Sequence, residues 1–422
     1  MLDLCLNNVR LEGEVKQIGI KNDCIQYIGP EKQEAHSVIE AGGAWLLPPF
    51  VESHIHLDTA WTYGSPYVNH SGQLLEGIEV WGRYKKEKLS EEEVRARALQ
   101  VIQHMAAQGI LYMRTMVDVS DPELMALKVL IEVKKQVAPY VELQIIAFPQ
   151  LGLAPPGNGA AQLKRALALG ADGVSAVPHL ENTREKGVES LETCFGIGVE
   201  HQTFVHIFCD ETDDPESRFL EVAADLAVDS GLYHKVAVSH ANAMAYYNEA
   251  YVKKLLPRLA ASAVHVVTCP LINSAMQGRF DRFPKGRGIT RVKELLEYGI
   301  SVSCAHDDFQ SPFYPLGDGS LLTAGHMLAH LAHMTGSEDF PVIMDMLTTY
   351  PADLMGINSY EIREGGAANL ILLPALDARD ALRRQPVPQL VISNGTVLAE
   401  TPAQKTSIYS EIFSTLEERR HL

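Results

Sequence analysis

Residues 46–58 read Leu46-Leu47-Pro48-Pro49-Phe50-Val51-Glu52-Ser53-His54-Ile55-His56-Leu57-Asp58. The apolar stretch Leu46–Val51 has the character of a buried strand, and two histidines spaced by one residue follow where it ends. Side chains alternate faces along a strand, so His54 and His56 point the same way. Two imidazoles on one face are the start of a zinc or iron site. A His-x-His pair is weak on its own, because short spacings recur by chance. It gains weight if the strand belongs to a barrel, whose active sites sit at the C-terminal ends of the strands.

The residues that follow supply such a barrel. Further candidate strands are Ile110–Val117, Val141–Ala147, Gly173–Val177, Phe204–Cys209, Lys235–Ser239, Val264–Thr268 and Ile300–Ala305, with helical patterns between most of them. The clearest helix runs from Ser90 to Gln108. Ser90 and Glu93 form a capping box, Val94, Leu99, Val101, Ile102 and Met105 form an apolar stripe, and Gly109 is the stop. Eight strands with intervening helices over about 300 residues fit a (β/α)8 barrel. The rival, a doubly wound open sheet, would carry a glycine-rich phosphate loop after an early strand, and none is present. Both chain ends have a different character. Asp3–Val9, Val15–Ile20 and Cys24–Ile28 near the start, and Asn369–Leu373, Leu390–Ser393 and Thr396–Ala399 near the end, read as short strands, the last two flanking the hairpin signal Asn394-Gly395. The expected organisation is therefore a small β-sandwich lobe from residues 1–45 and 362–405, a barrel over 46–361, and a solvated helical tail over 406–422.

Composition narrows the function. The 422 residues are 46% hydrophobic and 21% charged, an ordinary globular balance, with a formal net charge of −17. An acidic chain is a poor match for nucleic acid or an anionic membrane, both of which want a basic face. The charge reads as a device for solubility. The 6 cysteines are scattered without a Cys-x-x-Cys pair, which points to a reducing cytoplasm rather than a disulfide framework. The N-terminus lacks a basic segment followed by an apolar run, so no signal peptide is expected.

Polar residues cluster at the ends of the candidate barrel strands. Cys209-Asp210-Glu211 closes the fifth, Ser239-His240 the sixth, and His306-Asp307-Asp308 follows the eighth. Singly, each has a structural explanation: a hydrogen-bonded histidine, a solvated acid run, an aspartate capping the next helix. In a closed barrel the first and eighth strands are neighbours. Histidines and carboxylates gathered on one rim are what a metal-activated hydrolase needs. By contrast His326, His330 and His333 sit at helical spacing and read as one helix face.

Longer runs carry a family resemblance. They include Pro48–Thr59, Leu75-Glu76-Gly77-Ile78-Glu79, Val117-Asp118-Val119-Ser120-Asp121, Ala147-Phe148-Pro149-Gln150, Cys209-Asp210-Glu211, Gln277-Gly278-Arg279-Phe280-Asp281, Arg287–Glu294 and His306-Asp307-Asp308. On these runs nearly the whole chain resembles the amidohydrolase superfamily, and within it the bacterial cytosine deaminases. The resemblance implies one divalent iron or zinc ion per chain, held by the His-x-His pair, a histidine of the fifth strand and an aspartate of the eighth. The fourth candidate strand has no lysine to bridge a second metal. Carried over, His54, His56 and Asp307 are metal ligands. His240 orients the attacking water and shares its proton with Asp307. Glu211 protonates the pyrimidine N3, Gln150 binds the carbonyl and amide edge, Asp308 lies by the leaving ammonia, and Leu74 packs near the ring. A homo-oligomer with a small nucleobase as substrate is also implied.

Two positions depart from that pattern. The superfamily relatives read Asp-x-His-Cys-Asp-Glu on the fifth strand, and this chain reads His206-Ile207-Phe208-Cys209-Asp210-Glu211. Phe208 stands in the ligand position. His206 shares its face but lies about 6.6 Å deeper. Three readings follow: His206 becomes the ligand through a local shift, the site has three protein ligands plus solvent, or the site is weakened. Met116 replaces a histidine of the second strand, where methionine fills core space. Phe313 stands where the relatives carry tryptophan. It can still stack on a flat heterocycle, and the smaller ring leaves room for a 5-substituent. The expected activity is hydrolytic deamination of cytosine or a 5-substituted cytosine such as 5-methylcytosine. The alternatives are another cyclic amidine (isocytosine, creatinine or triazine type) and a metal-deficient, non-catalytic relative.

Overall fold

The structure, a computed structural model, describes residues 1–64, 66–154 and 159–402. The expected tail helix lies outside the described residues.

Two proline residues decide where the lobe ends and the barrel begins. The stretch expected as one strand over Leu46–Val51 is divided at Pro48-Pro49, which offer no N–H for a ladder. Strands β1 (Leu2–Leu11), β2 (Glu14–Lys21), β3 (Cys24–Gly29), β4 (Ala35–Glu40) and β5 (Trp45–Leu47) precede the prolines, and β6 (Phe50–Ile55) follows them. The barrel continues with β7 (Ile110–Asp118), β8 (Glu142–Phe148), β9 (Gly173–Val174), β10 (Phe204–Cys209), β11 (Val236–His240), β12 (His265–Thr268) and β13 (Val302–Cys304). β14 (Leu370–Leu373), β15 (Leu390–Ser393) and β16 (Thr396–Glu400) return to the first sheet, in the order β16-β15-β14-β5-β1-β2-β3 with β4 also on β1. β4 was not expected from the sequence. Most of its residues are exposed, so it carries no apolar alternation to read. The β15–β16 turn places Asn394 and Gly395 at φ 46° and 74°, the left-handed pair a tight hairpin requires.

β6 to β13 form eight successive parallel strands with helices between them, the α/β barrel expected. The seam between first and last strands is closed by a side chain. Glu52 accepts the backbone N–H of His54 on its own strand and of His306 beyond β13, both at 2.9 Å, and the Asp307 N–H donates to the His54 carbonyl at 3.0 Å. Burial pushes the Glu52 carboxyl up to about 8.

The helix Glu91–Ala107 starts as expected, with Ser90 Oγ accepting from the Glu93 N–H at 3.2 Å. The Glu93 carboxylate does not complete a capping box. It takes the Arg97 guanidinium instead, and Arg97 donates to the carbonyls of Leu57, Asp58 and Ala60 at 2.8–3.1 Å. This buried cation pins the loop that carries His56. Among the described residues no helix is long and apolar enough to cross a membrane.

Candidate active site and metal centre

The rim of the barrel brings together residues from five strand ends. His54 is the penultimate residue of β6 and His56 the first beyond it; Gln150 follows β8, Glu211 follows β10, His240 ends β11, and Asp307 and Asp308 follow β13. Asp210, His240 and Asp307 have φ of 52°, 72° and 67°. A left-handed backbone at a non-glycine residue costs on the order of 1–2 kcal/mol, and here it turns the chain sharply as each strand ends.

Asp307 is the centre of the cluster. His56 Nε2 lies 3.7 Å from its Oδ1, and His54 Nε2 and His240 Nε2 lie 3.7 and 3.9 Å from its Oδ2. The ligating atoms of His54, His56 and Asp307 all lie within 4.8 Å of one another, and all three residues are buried. The atoms of His240, Cys269 and Asp307 form a second such group. The Nε2 atoms of His54 and His240 are buried with no hydrogen-bond partner among the described residues. Buried polar atoms are rarely left so, and unpaired imidazole nitrogens aimed at a buried carboxylate fit a divalent cation. Burial holds the His54 and His56 rings below the usual histidine range, and His240 down at about 3, so all three are neutral, as ligands must be.

The acid run on β10 separates into two functions. Asp210 is structural: it accepts from the N–H groups of Phe219 and Leu220 at 3.1 and 2.9 Å, and from Ser217 Oγ at 2.6 Å. Glu211 accepts no backbone N–H among the described residues and lines a cavity. Burial, and then the charge of Asp308, raise its carboxyl to about 8, so it is protonated at neutral pH. Asp308 is raised to about 7 by burial and accepts from Thr59 Oγ1. The cavity, of about 40 Å³, is lined by His56, Gln150, Glu211, His240, Asp307 and Asp308 on its polar side. Leu74, Phe148, Phe208 and Phe313 are among its apolar walls.

His206 is the correction. The structure does not bring it into the donor cluster. Its Nε2 meets Ser239 Oγ and lies 3.4 Å from His54 Nδ1, the ring atom opposite the one facing Asp307. β10 keeps its register with β11, pairing His206 with Ala237 and Phe208 with Ser239, so there is no bulge or slip to lift His206 to the rim. The space of a fourth ligand is taken by the Phe208 ring, whose centroid is 4.7 Å from His54 and which stacks on Phe148 at 4.1 Å. Met116 and Phe208, the two departures from the family pattern, belong to one apolar cluster with Ile146, Phe148 and Val177.

Two residues at the candidate site were not expected. Asn273, on the short helix Pro270–Met276, places its amide nitrogen 3.1 Å from His240 Nδ1 and 3.4 Å from Glu211 Oε1, tying the two together. His179, in the turn after β9, lines the cavity, and among the described residues neither of its ring nitrogens is hydrogen-bonded. Neither belongs to a repeated spacing. The Val177-Pro178-His179 turn is the one sequence feature that could have placed His179 on the rim.

A model of the amidohydrolase family matches residues 81–399. The chain belongs to the amidohydrolase family. Among solved structures, it is similar to 5-methylcytosine deaminase from Klebsiella pneumoniae liganded with 5-fluorocytosine, with 38% identity and a TM-score of 0.92 over 96% of this chain and 99% of that one. Among curated proteins, N-isopropylammelide isopropyl amidohydrolase from a Pseudomonas species is 26% identical, covering 94% of this chain and 97% of the relative. Pterin deaminase from Rhizobium rhizogenes is 24% identical, covering 85% and 80%. The chain is an amidohydrolase-type deaminase, of a family whose members use a divalent metal.

Proposed function

We propose that the protein hydrolyses the exocyclic C–N bond of cytosine or a 5-substituted cytosine such as 5-methylcytosine, releasing ammonia and the uracil-type product. The observation that carries this reading is the convergence of Glu211, His240, Asp307, Asp308 and Gln150 on one buried cavity walled by Phe148, Phe208 and Phe313. A flat, one-ring base stacks on the aromatic wall. The Gln150 amide, with one donor side and one acceptor side, meets its carbonyl and ring N–H edge. A base lacking that edge leaves the buried amide unpaired, which is the source of selectivity. The apolar surface of Phe148, Val177 and Phe208 gives a 5-methyl group a dry contact.

His54, His56 and Asp307 would hold one divalent iron or zinc ion, which when bound would lower the pKa of the attacking water. The chain's own groups move the protons. His240 and Asp307 take the proton that water loses on adding to C4. Glu211, protonated at neutral pH, donates to N3, so the ring passes through a neutral adduct rather than an anion. Asp308, beside the amine, hands a proton to the departing nitrogen. The proton first taken from water is the one relayed to the departing nitrogen, and as the C4 hydroxyl becomes the carbonyl its proton returns to Glu211, so one water enters, ammonia leaves and the carboxyls return to their starting states.

The resemblance to 5-methylcytosine deaminase supports this substrate class. The test is ammonia release from cytosine and 5-methylcytosine on one sample of measured metal content. Turnover of both, with 5-methylcytosine preferred, is the expected result. A clear preference for cytosine overturns the 5-substituted assignment. No ammonia from either base, with metal bound, overturns the cytosine reading and moves the search to other cyclic amidines.

A further inference from the structure

Below the rim, a column of buried polar groups runs down the barrel from His54. Ser239 Oγ lies 2.7 Å from His54 Nδ1 and also meets His206 Nε2. His206 Nδ1 lies 3.4 Å from Arg114 Nη1. Arg114 is fully buried, donates to Gln144 Oε1 at 3.1 and 2.8 Å and to the Leu354 carbonyl at 3.3 Å, and stacks on the Phe204 ring. Among the described residues it forms no ion pair.

The hydrogens in this column follow from the inventory of donors and acceptors. A guanidinium has only donors, so His206 Nδ1 facing it is the bare acceptor. Neutral His206 therefore carries its proton on Nε2 and gives it to Ser239 Oγ. Among the described residues the Ser239 side chain has two hydrogen-bond partners, His206 and His54. The first is already donating, so the hydroxyl hydrogen goes to His54 Nδ1. His54 is then an acceptor at Nδ1 and carries its own proton on Nε2, the atom that faces Asp307 with no hydrogen-bond partner among the described residues.

A neutral histidine that binds a metal through Nε2 must have its proton on Nδ1. We infer that Arg114 and His206, acting through Ser239, hold His54 in the tautomer that opposes metal binding, and so set the affinity of the site below what its rim ligands would give. Uptake of a cation shifts one proton from Nε2 to Nδ1 with no net change. It also leaves the Ser239 hydroxyl hydrogen without an acceptor in a buried place. Arg114, His206 and Ser239 are positioning residues, and the inference rests on His54 being a ligand.

A carboxylate at position 206 would have acceptors only. It would take the Arg114 N–H on one side and the Ser239 O–H on the other, freeing the serine oxygen to receive His54 Nδ1–H. An amide there would keep the present polarity, accepting from Arg114 and donating to Ser239. Zinc affinity by chelator competition on the full chain is therefore expected to rise about 10- to 100-fold in His206→Asp, the scale on which such outer partners act, and to stay at the wild-type value in His206→Gln. Arg114→Gln provides the check if the aspartate variant does not fold, since an uncharged amide lets His206 reverse its tautomer and accept from Ser239. It too is expected to bind zinc more tightly. In the metal-free wild type, ring nitrogen NMR should place the His54 proton on Nε2. Unchanged or weaker zinc binding in folded His206→Asp or Arg114→Gln, or a proton on His54 Nδ1, overturns the inference. Zinc affinity insensitive to His54→Ala would instead overturn the ligand reading itself.

Discussion

Replacing Phe208 by histidine tests whether that ring fills a ligand position. In the wild type the ring stacks on Phe148 at 4.1 Å and packs against His54 at 4.7 Å and His240 at 5.2 Å. Losing an aromatic pair costs about 0.5–1.5 kcal/mol, and burying an imidazole with no partner costs about 1–3 kcal/mol. Phe208→His is therefore expected to be less stable than wild type by about 1.5–4.5 kcal/mol in EDTA. Zinc reverses the order of gains. A fourth ligand beside His54, His56 and Asp307 would complete a tetrahedral set. At zinc near 100 times its Kd, binding returns about 2.7 kcal/mol, so at any fixed zinc concentration the tighter-binding variant gains more. The assay is thermal unfolding with EDTA and with added zinc, alongside chelator competition for the Kd. The variant should show a lower Tm in EDTA, a larger rise with zinc and a lower Kd. Equal zinc affinity in the two proteins would refute the reasoning.

Three other outcomes are expected. Asp307→Asn removes the carboxylate that three histidines share, and metal analysis after desalting should find the ion lost along with ammonia release. Glu211, raised to about 8, is competent while protonated, so kcat/KM should fall about tenfold per pH unit above that value; Glu211→Gln should lower the rate by about 10²–10⁴-fold and abolish this alkaline limb. A profile level to pH 10 would count against Glu211 as the proton donor. Glu52 has a folded pKa of about 8 against about 4.3 when unfolded, so the folded state holds a proton the unfolded chain has released, and the stability from this group is lost as pH rises between those values. Glu52→Gln leaves one of two backbone N–H groups unmatched, costing about 1–3 kcal/mol at pH 5, a deficit that should shrink by pH 8 in urea melts.

The rim residues were legible because strand ends and period-two alternation are properties of local sequence. The pattern His54-Ile55-His56, and polar residues directly after apolar strands, point to Glu211, His240, Asp307 and Asp308 at the mouth of a barrel from the sequence alone. Alternation also put His206 and Phe208 on one inner face. It could not say what lies at each depth of the barrel, because depth depends on the stagger of neighbouring strands. That stagger sets His206 against Ser239 and Arg114 rather than against the rim.

The sequence alone therefore determined the alternation of strands and helices, the return of both chain ends to a second sheet, and the chemistry available at the rim. Only the tertiary structure decided which donors share a carboxylate, that Met116 and Phe208 belong to one apolar cluster, that Glu52 closes the seam, and that the buried Arg114 lies three groups from His54 along a polar column. The physical reason is the same in each case. Local periodicity specifies a face, whereas donors meet acceptors across strands far apart in the chain, where register and packing choose the partner.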